Sequence, residues 1–250
     1  MIAIAFALEN EAAPLLRRLY RRQAFALGQE VPVPAHLGIL DGKEGAVVLV
    51  LIVGMGAETA RRRAAAALAE IPAELARRNL SPLRLLVLAG YAGALRSGPA
   101  FRRNTLFVAS NYLSPAAAPW LDKALPDARR ALLHSAAAVA GTPAARRELA
   151  DRGFDLVDME TGAVADEAER FGIPFLPLRV VSDEADDVLP EAILAASFDM
   201  EKQRPAPLRL LGALFARPWE IVPFVQFVRH LGPARKALAE GVEQIAELAR

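Results

Sequence analysis

The stretch FDLVDMETGAVADEAERFGIPFLPLRVVSD, residues 154–183, decides the fold. It opens on a run of strand length, Phe154–Val157, and closes on a nearly continuous apolar run, Phe175–Val181. Runs of that kind suit strands buried on both faces. Between them, Met159, Ala163, Val164 and Phe171 fall along one stripe, which predicts a helix over Met159–Phe171. The same alternation continues outward. Further strand-length runs are Ile2–Ala7, Ala46–Val53, Leu83–Ala89 and Thr105–Ala109. Helical patterns lie at Glu11–Arg22, Thr59–Leu68 and Thr142–Asp151. Glu11–Arg22 sets Leu15, Leu16, Leu19 and Tyr20 opposite Arg17, Arg18, Arg21 and Arg22. Strand–helix alternation predicts an α/β domain with a mixed, mostly parallel central sheet flanked by helices.

From about Pro190 the pattern is only helical, with Leu208–Ala216, Trp219–His230 and Ala234–Arg250 as three helices. No flexible linker precedes them, so residues 1–250 read as one domain, with a core over 1–188 and a helical tail over 189–250. Pro205–Lys236 holds Arg209, Arg217, Arg229, Arg235 and Lys236 against Glu220 alone, with Phe215, Trp219, Phe224 and Phe227 among them. Such helices pack on their own domain, on a partner subunit, or on an anionic membrane surface.

Composition narrows the function. Thirty basic side chains against 29 acidic ones give no electrostatic footprint for nucleic acid. With no cysteine, disulfides, thiolate metal sites and a cysteine nucleophile are excluded. That is compatible with a reducing compartment, and a cytoplasmic location is expected. His36, His134 and His230 are scattered without metal spacing, so no metal is expected. Gly54-Met55-Gly56-Ala57-Glu58-Thr59 lacks the third glycine of a dinucleotide loop, and Gly42-Lys43 leads to Glu44 where a phosphate loop needs Ser or Thr. The N-terminus lacks a basic region and reads as a first strand, not a signal peptide. Asn104–Leu121 is uncharged but carries two Pro, two Asn, two Ser and a Thr, which argues against a membrane span.

The segments just past the strands are more informative. The predicted strands lead into Glu9-Asn10-Glu11, Gly54-Met55-Gly56, Gly90-Tyr91-Ala92-Gly93, Asp158-Met159-Glu160 and Ser182-Asp183. Ligands of open parallel sheets bind beyond the carboxyl ends of the strands. Glycines there let a ligand approach the backbone, and carboxylates bind hydroxyls or move protons. Taken singly, Asp158 and Asp183 also read as helix N-caps.

Four of these motifs, in this order, resemble the nucleoside phosphorylase/nucleosidase superfamily, and within it the methylthioadenosine/S-adenosylhomocysteine nucleosidases. They are Ala7-Leu8-Glu9-Asn10-Glu11, Gly90-Tyr91-Ala92-Gly93-Ala94-Leu95, Val157-Asp158-Met159-Glu160, and Arg179-Val180-Val181-Ser182-Asp183 after Phe171-Gly172-Ile173-Pro174-Phe175. The resemblance covers residues 1–188. Phe198-Asp199-Met200-Glu201, Arg204-Pro205 and the Leu-rich helices with Ala216-Arg217-Pro218 are similar to a hopanoid-associated, phosphorylase-like branch thought to release adenine from an adenosyl-lipid.

The resemblance implies cleavage of the N-glycosidic bond of an adenosine-like purine nucleoside. Asp183 falls on the acid that protonates the base at N7, Glu11 on the base that activates water, and Glu160 on the holder of the ribose hydroxyls, with Met159 against the sugar. Glu184, Asp186 and Asp187 crowd near Asp183, and clustered carboxyls favour keeping a proton on one of them. Gly56, Gly90, Tyr91, Ala92, Gly93, Val139 and Ser182 complete the implied substrate-binding set. No cofactor is implied, beyond phosphate as co-substrate of a phosphorylase, and a homo-oligomer is. Leu88 and Glu9-Asn10-Glu11 stand where phosphorylases carry phosphate-binding arginines, which favours water as nucleophile. Ser135-Ala136-Ala137-Ala138-Val139 replaces the nucleosidases' Ser-Gly-Asp-x-Phe beside the base. The segment between Ser110 and His134 is shorter than theirs, which opens the 5′ side to a bulky group. Phosphorolysis to ribose 1-phosphate, an adenosyl-lipid substrate, and an inactive nucleoside-binding or membrane-associated protein are the alternatives.

Overall fold

A computed structural model describes residues 1–40 and 45–248. The Gly42-Lys43-Glu44 stretch and the last two residues of the Ala234–Arg250 helix lie outside them. The first half of the chain runs β1 (Ile2–Phe6), α1 (Glu9–Arg18), β2 (Leu19–Leu27), β3 (Val33–Leu40), β4 (Val47–Ile52), α2 (Ala57–Arg77), β5 (Leu85–Ala94), β6 (Leu106–Ala109), α3 (Ala118–Ala124), β7 (Arg129–Ala131) and β8 (Leu133–Ser135). The second half runs α4 (Pro143–Asp151), β9 (Leu156–Asp158), α5 (Thr161–Arg170), β10 (Phe175–Asp183), α6 (Glu191–Ser197), β11 (Phe198–Asp199), β12 (Arg204–Pro205), α7 (Pro207–Ala216) and α8 (Ile221–Glu247).

One mixed sheet organises the molecule, in the order β2-β3-β4-β1-β5-β10-β6-β7, with β9 on the far end of β5 and β8 beside β9. Its centre, β4-β1-β5-β10, is parallel throughout. These strands are buried on both faces, which is why they read as unbroken Val, Leu and Ile. Residues of alternating parity feed two cores. Ile2, Ile4 and Phe6 join α1 and the last half of α8, and Met1, Ala3 and Ala5 join α2 and α5.

Three expectations change. Helix α1 stops at Arg18, because Leu19 takes extended backbone and pairs with Leu40 in a β2–β3 hairpin. The tail is not wholly helical, since Phe198 and Asp199 pair with Pro205 and Arg204 in a short ribbon. The two last helices are one, with Pro233 inside it. The N–H that Pro233 lacks would have met the carbonyl of Arg229, an exposed residue open to solvent.

Candidate active site

The site lies at the carboxyl ends of the central strands, and the β5–β10 pairing explains its glycines. Gly90 to Gly93 are not a turn, because β5 runs on through Ala94. In register, Arg179 of β10 faces Gly90 and Asp183 faces Gly93. A Cβ at Gly90 would stand 2.7 Å from Arg179 Nη1, and one at Gly93 would stand 2.8 Å from Asp183 Oδ2. The glycines make room for two charged side chains from the neighbouring strand.

Arg179 is the centre of the first half of the site. It is buried, ion-pairs with Asp158 Oδ2 at 2.8 Å and donates to Thr161 Oγ1 at 2.6 Å. Asp158 in turn accepts the Thr161 N–H at the start of α5, although the N-cap itself is Glu160 and not Asp158. Glu11, in the first turn of α1, is 7% exposed and accepts the N–H of Leu8 at 3.3 Å. Its Oε2 lies 3.9 Å from where a Gly90 Cβ would be. Burial first, then the charge of Glu160, pushes Glu11 up to about 8, against the backbone N–H groups and Arg179. Burial, then Asp158, pushes Glu160 up to about 7, against the Gly56 N–H and Arg179. Gly56 holds φ +87° and donates its N–H to Glu160 Oε1 at 2.7 Å. Arg179 is thus paired with Asp158, and its charge also acts on Glu11 and Glu160. The Tyr91 hydroxyl is pushed up to about 12 by burial and by Glu11, against the nearby charge of Arg235 of α8.

The second half surrounds Asp183, which is 5% exposed. Its Oδ1 accepts the Ser182 hydroxyl at 2.5 Å, and its Oδ2 accepts Arg146 Nη2 at 2.5 Å. Arg146, from the first turn of α4, is 1% exposed and also donates to the carbonyls of Ala140 and Glu184. The expected cluster of carboxyls around Asp183 is absent. Glu184 and Asp187 turn to Arg103, and Asp186 accepts the Ser97 hydroxyl. These neighbours find their own donors, and the charge facing Asp183 is positive.

Val139 is not brought to the site. It is 51% exposed on the segment before α4, which is held by Ala140 O on Arg146 and by Gly141 O on the Leu189 N–H. Met159 and Ala92 lie in the strand-end region beside Glu160 and Ser182, with Ala92 O accepting the Ser182 hydroxyl at 3.3 Å. Arg146, Thr161 and Gln203 were not singled out from sequence, and Met200 was quoted only as part of the tail resemblance. Gln203 accepts the Met55 N–H at 2.8 Å, and Met200 Cε lies 2.9 Å from where a Gly56 Cβ would be. The β11–β12 ribbon therefore closes over the turn that receives Glu160. Among the described residues, no group of His, Cys, Asp and Glu could hold a metal ion.

The profile of the phosphorylase superfamily matches residues 1–211. The chain belongs to this superfamily. Similar solved structures include a 5′-methylthioadenosine/S-adenosylhomocysteine nucleosidase from Neisseria meningitidis in complex with methylthio-immucillin-A. It is 19% identical with a TM-score of 0.66, over 99% of this chain and 98% of that one. The futalosine hydrolase of Helicobacter pylori is 16% identical with a TM-score of 0.62, over 98% and 96%. A nucleosidase from Colwellia psychrerythraea in complex with adenine is 17% identical with a TM-score of 0.61, over 98% and 93%. No curated protein sequence matches the chain. At these identities the likeness of this superfamily member to the three structures carries the fold.

Proposed function

We propose that the protein hydrolyses the N-glycosidic bond of an adenosine-like purine nucleoside. The observation that carries this is the spacing of two unlike ends along β5. Glu11 sits by Gly90 and Asp183 by Gly93, and three strand residues span about 10 Å, the reach of a purine joined to a ribose. At one end, Glu160 accepts the sugar hydroxyls, and Glu11, tuned towards neutrality, takes a proton from water as its oxygen bonds to C1′. At the other, the C1′–N9 electron pair leaves with the base, and the Asp183 carboxylate, held by Ser182 and Arg146, takes a proton from solvent and passes it to N7. The electron-poor sugar forms beside Glu160, whose ionised form favours positive charge there.

The same electrostatics disfavour phosphate as nucleophile. Arg179, the guanidinium nearest Glu11, is already paired with Asp158 and ringed by carboxyls. A second reading keeps the chemistry but puts an adenosyl-lipid in the site. It is favoured by Met200 against Gly56 and by the exposed apolar helix α7 that starts just after this ribbon.

The test incubates the protein with adenosine, methylthioadenosine and S-adenosylhomocysteine, with and without phosphate, and measures adenine and ribose 1-phosphate. Adenine without phosphate, lost in Asp183→Asn, supports hydrolysis. Release only with phosphate overturns the reading of the nucleophile. No release from any of the three favours the adenosyl-lipid or a non-catalytic binder.

A further inference from the structure

Helix α7 is one of the most apolar segments of the chain, yet none of its residues is buried. Nor is any residue of α8 before Ala234. Leu208, Leu211 and Phe215 recur at helical spacing on one face of α7, with Leu208 84% and Phe215 79% exposed. Trp219, 69% exposed, sits at the bend, and Val222, Val225 and Val228 are exposed at helical spacing along α8. By helical rise, α7 is about 15 Å long and the outer part of α8, residues 221–232, about 18 Å. Apolar surface on this scale marks an interaction face.

The charges choose the occupant. Arg209, Arg217 and Arg229 are exposed within the same segment. The single acid of the region, Glu220, is tied to Arg217 at 2.9 Å. In a symmetric pair of identical copies, such a face would meet its own arginines. An anionic surface meets them with opposite charge, and an aromatic side chain at the bend suits a headgroup boundary. We propose that residues 207–232 form a helical hairpin that docks on an anionic lipid bilayer, lying on it and not crossing it. No helix among the described residues is long and apolar enough to cross a membrane. The docking face begins directly after the ribbon whose Gln203 and Met200 close on the Gly56 turn. The inference rests on the surface and is independent of the reaction assigned to the site.

The test uses the full chain in a Trp120→Phe background, so that Trp219 is the only indole. It is mixed with phosphatidylcholine vesicles, with and without phosphatidylglycerol. Expected are co-sedimentation with the anionic vesicles, release at high salt, and quenching of Trp219 by brominated acyl chains. Phe215→Glu together with Val222→Glu should weaken binding at least tenfold, and Arg209→Gln with Arg229→Gln should remove most of the preference for anionic lipid. Both pairs of changes are at exposed positions, and an unchanged thermal melt verifies folding without reference to catalysis. Absence of vesicle binding, binding indifferent to Phe215→Glu and Val222→Glu, or a halved particle mass in that variant without any vesicle binding would each overturn the proposal. The last would give the face to a second copy.

Discussion

Arg146 donates to Asp183 from a position almost wholly buried, so the carboxyl proposed to serve the base is held by a guanidinium and not by neighbouring acids. Breaking a buried ion pair strands the remaining charge and costs about 3–5 kcal/mol. Arg146→Gln should therefore lower unfolding stability by about that amount in urea titrations. Asp183→Asn should lower adenine release by about 10²–10⁴. The double variant should be more stable than the sum of the two losses predicts, because each single change removes the same pair. Strict additivity would show that the two side chains do not depend on each other.

The raised values of Glu11 and Glu160 predict a pH dependence in two observables. As the proposed base, Glu11 would be ionised to accept a proton from water, so kcat/KM should rise with pH through about 8, and Glu11→Gln should abolish the rise. Stability runs the other way. A carboxyl raised by folding contributes stability that is complete below its ordinary range near 4.5 and is lost as pH rises through the folded value. The melting temperature should fall between about pH 5 and about pH 9, and fall less in Glu11→Gln. A flat profile in the native protein would contradict the burial assigned to this pair.

Gly56→Ala separates backbone strain from side-chain crowding. A Cβ there would meet Met200 Cε at 2.9 Å, but a flexible methyl can move aside. The φ of +87° cannot be relieved in that way. Strain of about 1–2 kcal/mol is expected, together with a misdirected N–H to Glu160 and a KM raised about tenfold. Adding Met200→Ala should leave both effects in place. Recovery in the double variant would assign the defect to crowding.

Gly90→Ala should be worse, although the backbone at Gly90 is ordinary. The new methyl would lie 2.7 Å from Arg179 Nη1, which is buried and tied to Asp158 and Thr161. A loss of about 3 kcal/mol or more is expected from the displaced pair. Thermal denaturation alongside adenine release measures it, and a variant as stable and active as the native chain would refute the close packing of β5 on Arg179.

Much of this architecture was legible because buried parallel strands leave continuous apolar runs, as in Ile2–Phe6 and Val47–Ile52. The β2–β3 hairpin left no such trace. Leu19 and Tyr20 happen to continue the helical period of α1, and β3 mixes Pro34, His36 and Gly38 into its length. Pairing between the two strands settles their state, and no local pattern encodes it. Within the site, Glu11, Glu160 and Asp183 stood out as acids at strand ends. Arg179 also carried a signal, as a lone cation inside the apolar run 175–181. Arg146 carried none. It stands beside Arg147 on a polar helix, and only the fold makes one of the two buried and the other exposed. Val139 failed for a related reason, since the segment around it takes its course from Arg146 and Leu189, partners distant from its own motif.

Helix α8 has its C-terminal half in the core, Arg235 donates to Asn10, and no residue of the same helix before Ala234 is buried. The arm continues the body's own helix, and the single rung lost at Pro233 is the one place between them where it can bend. Whatever clasps the arm also fixes the attitude of the sheet and the direction in which the strand ends face. A molecule held this way would tumble about a single axis, and its orientation would be dictated at a distance from the groups that do the chemistry.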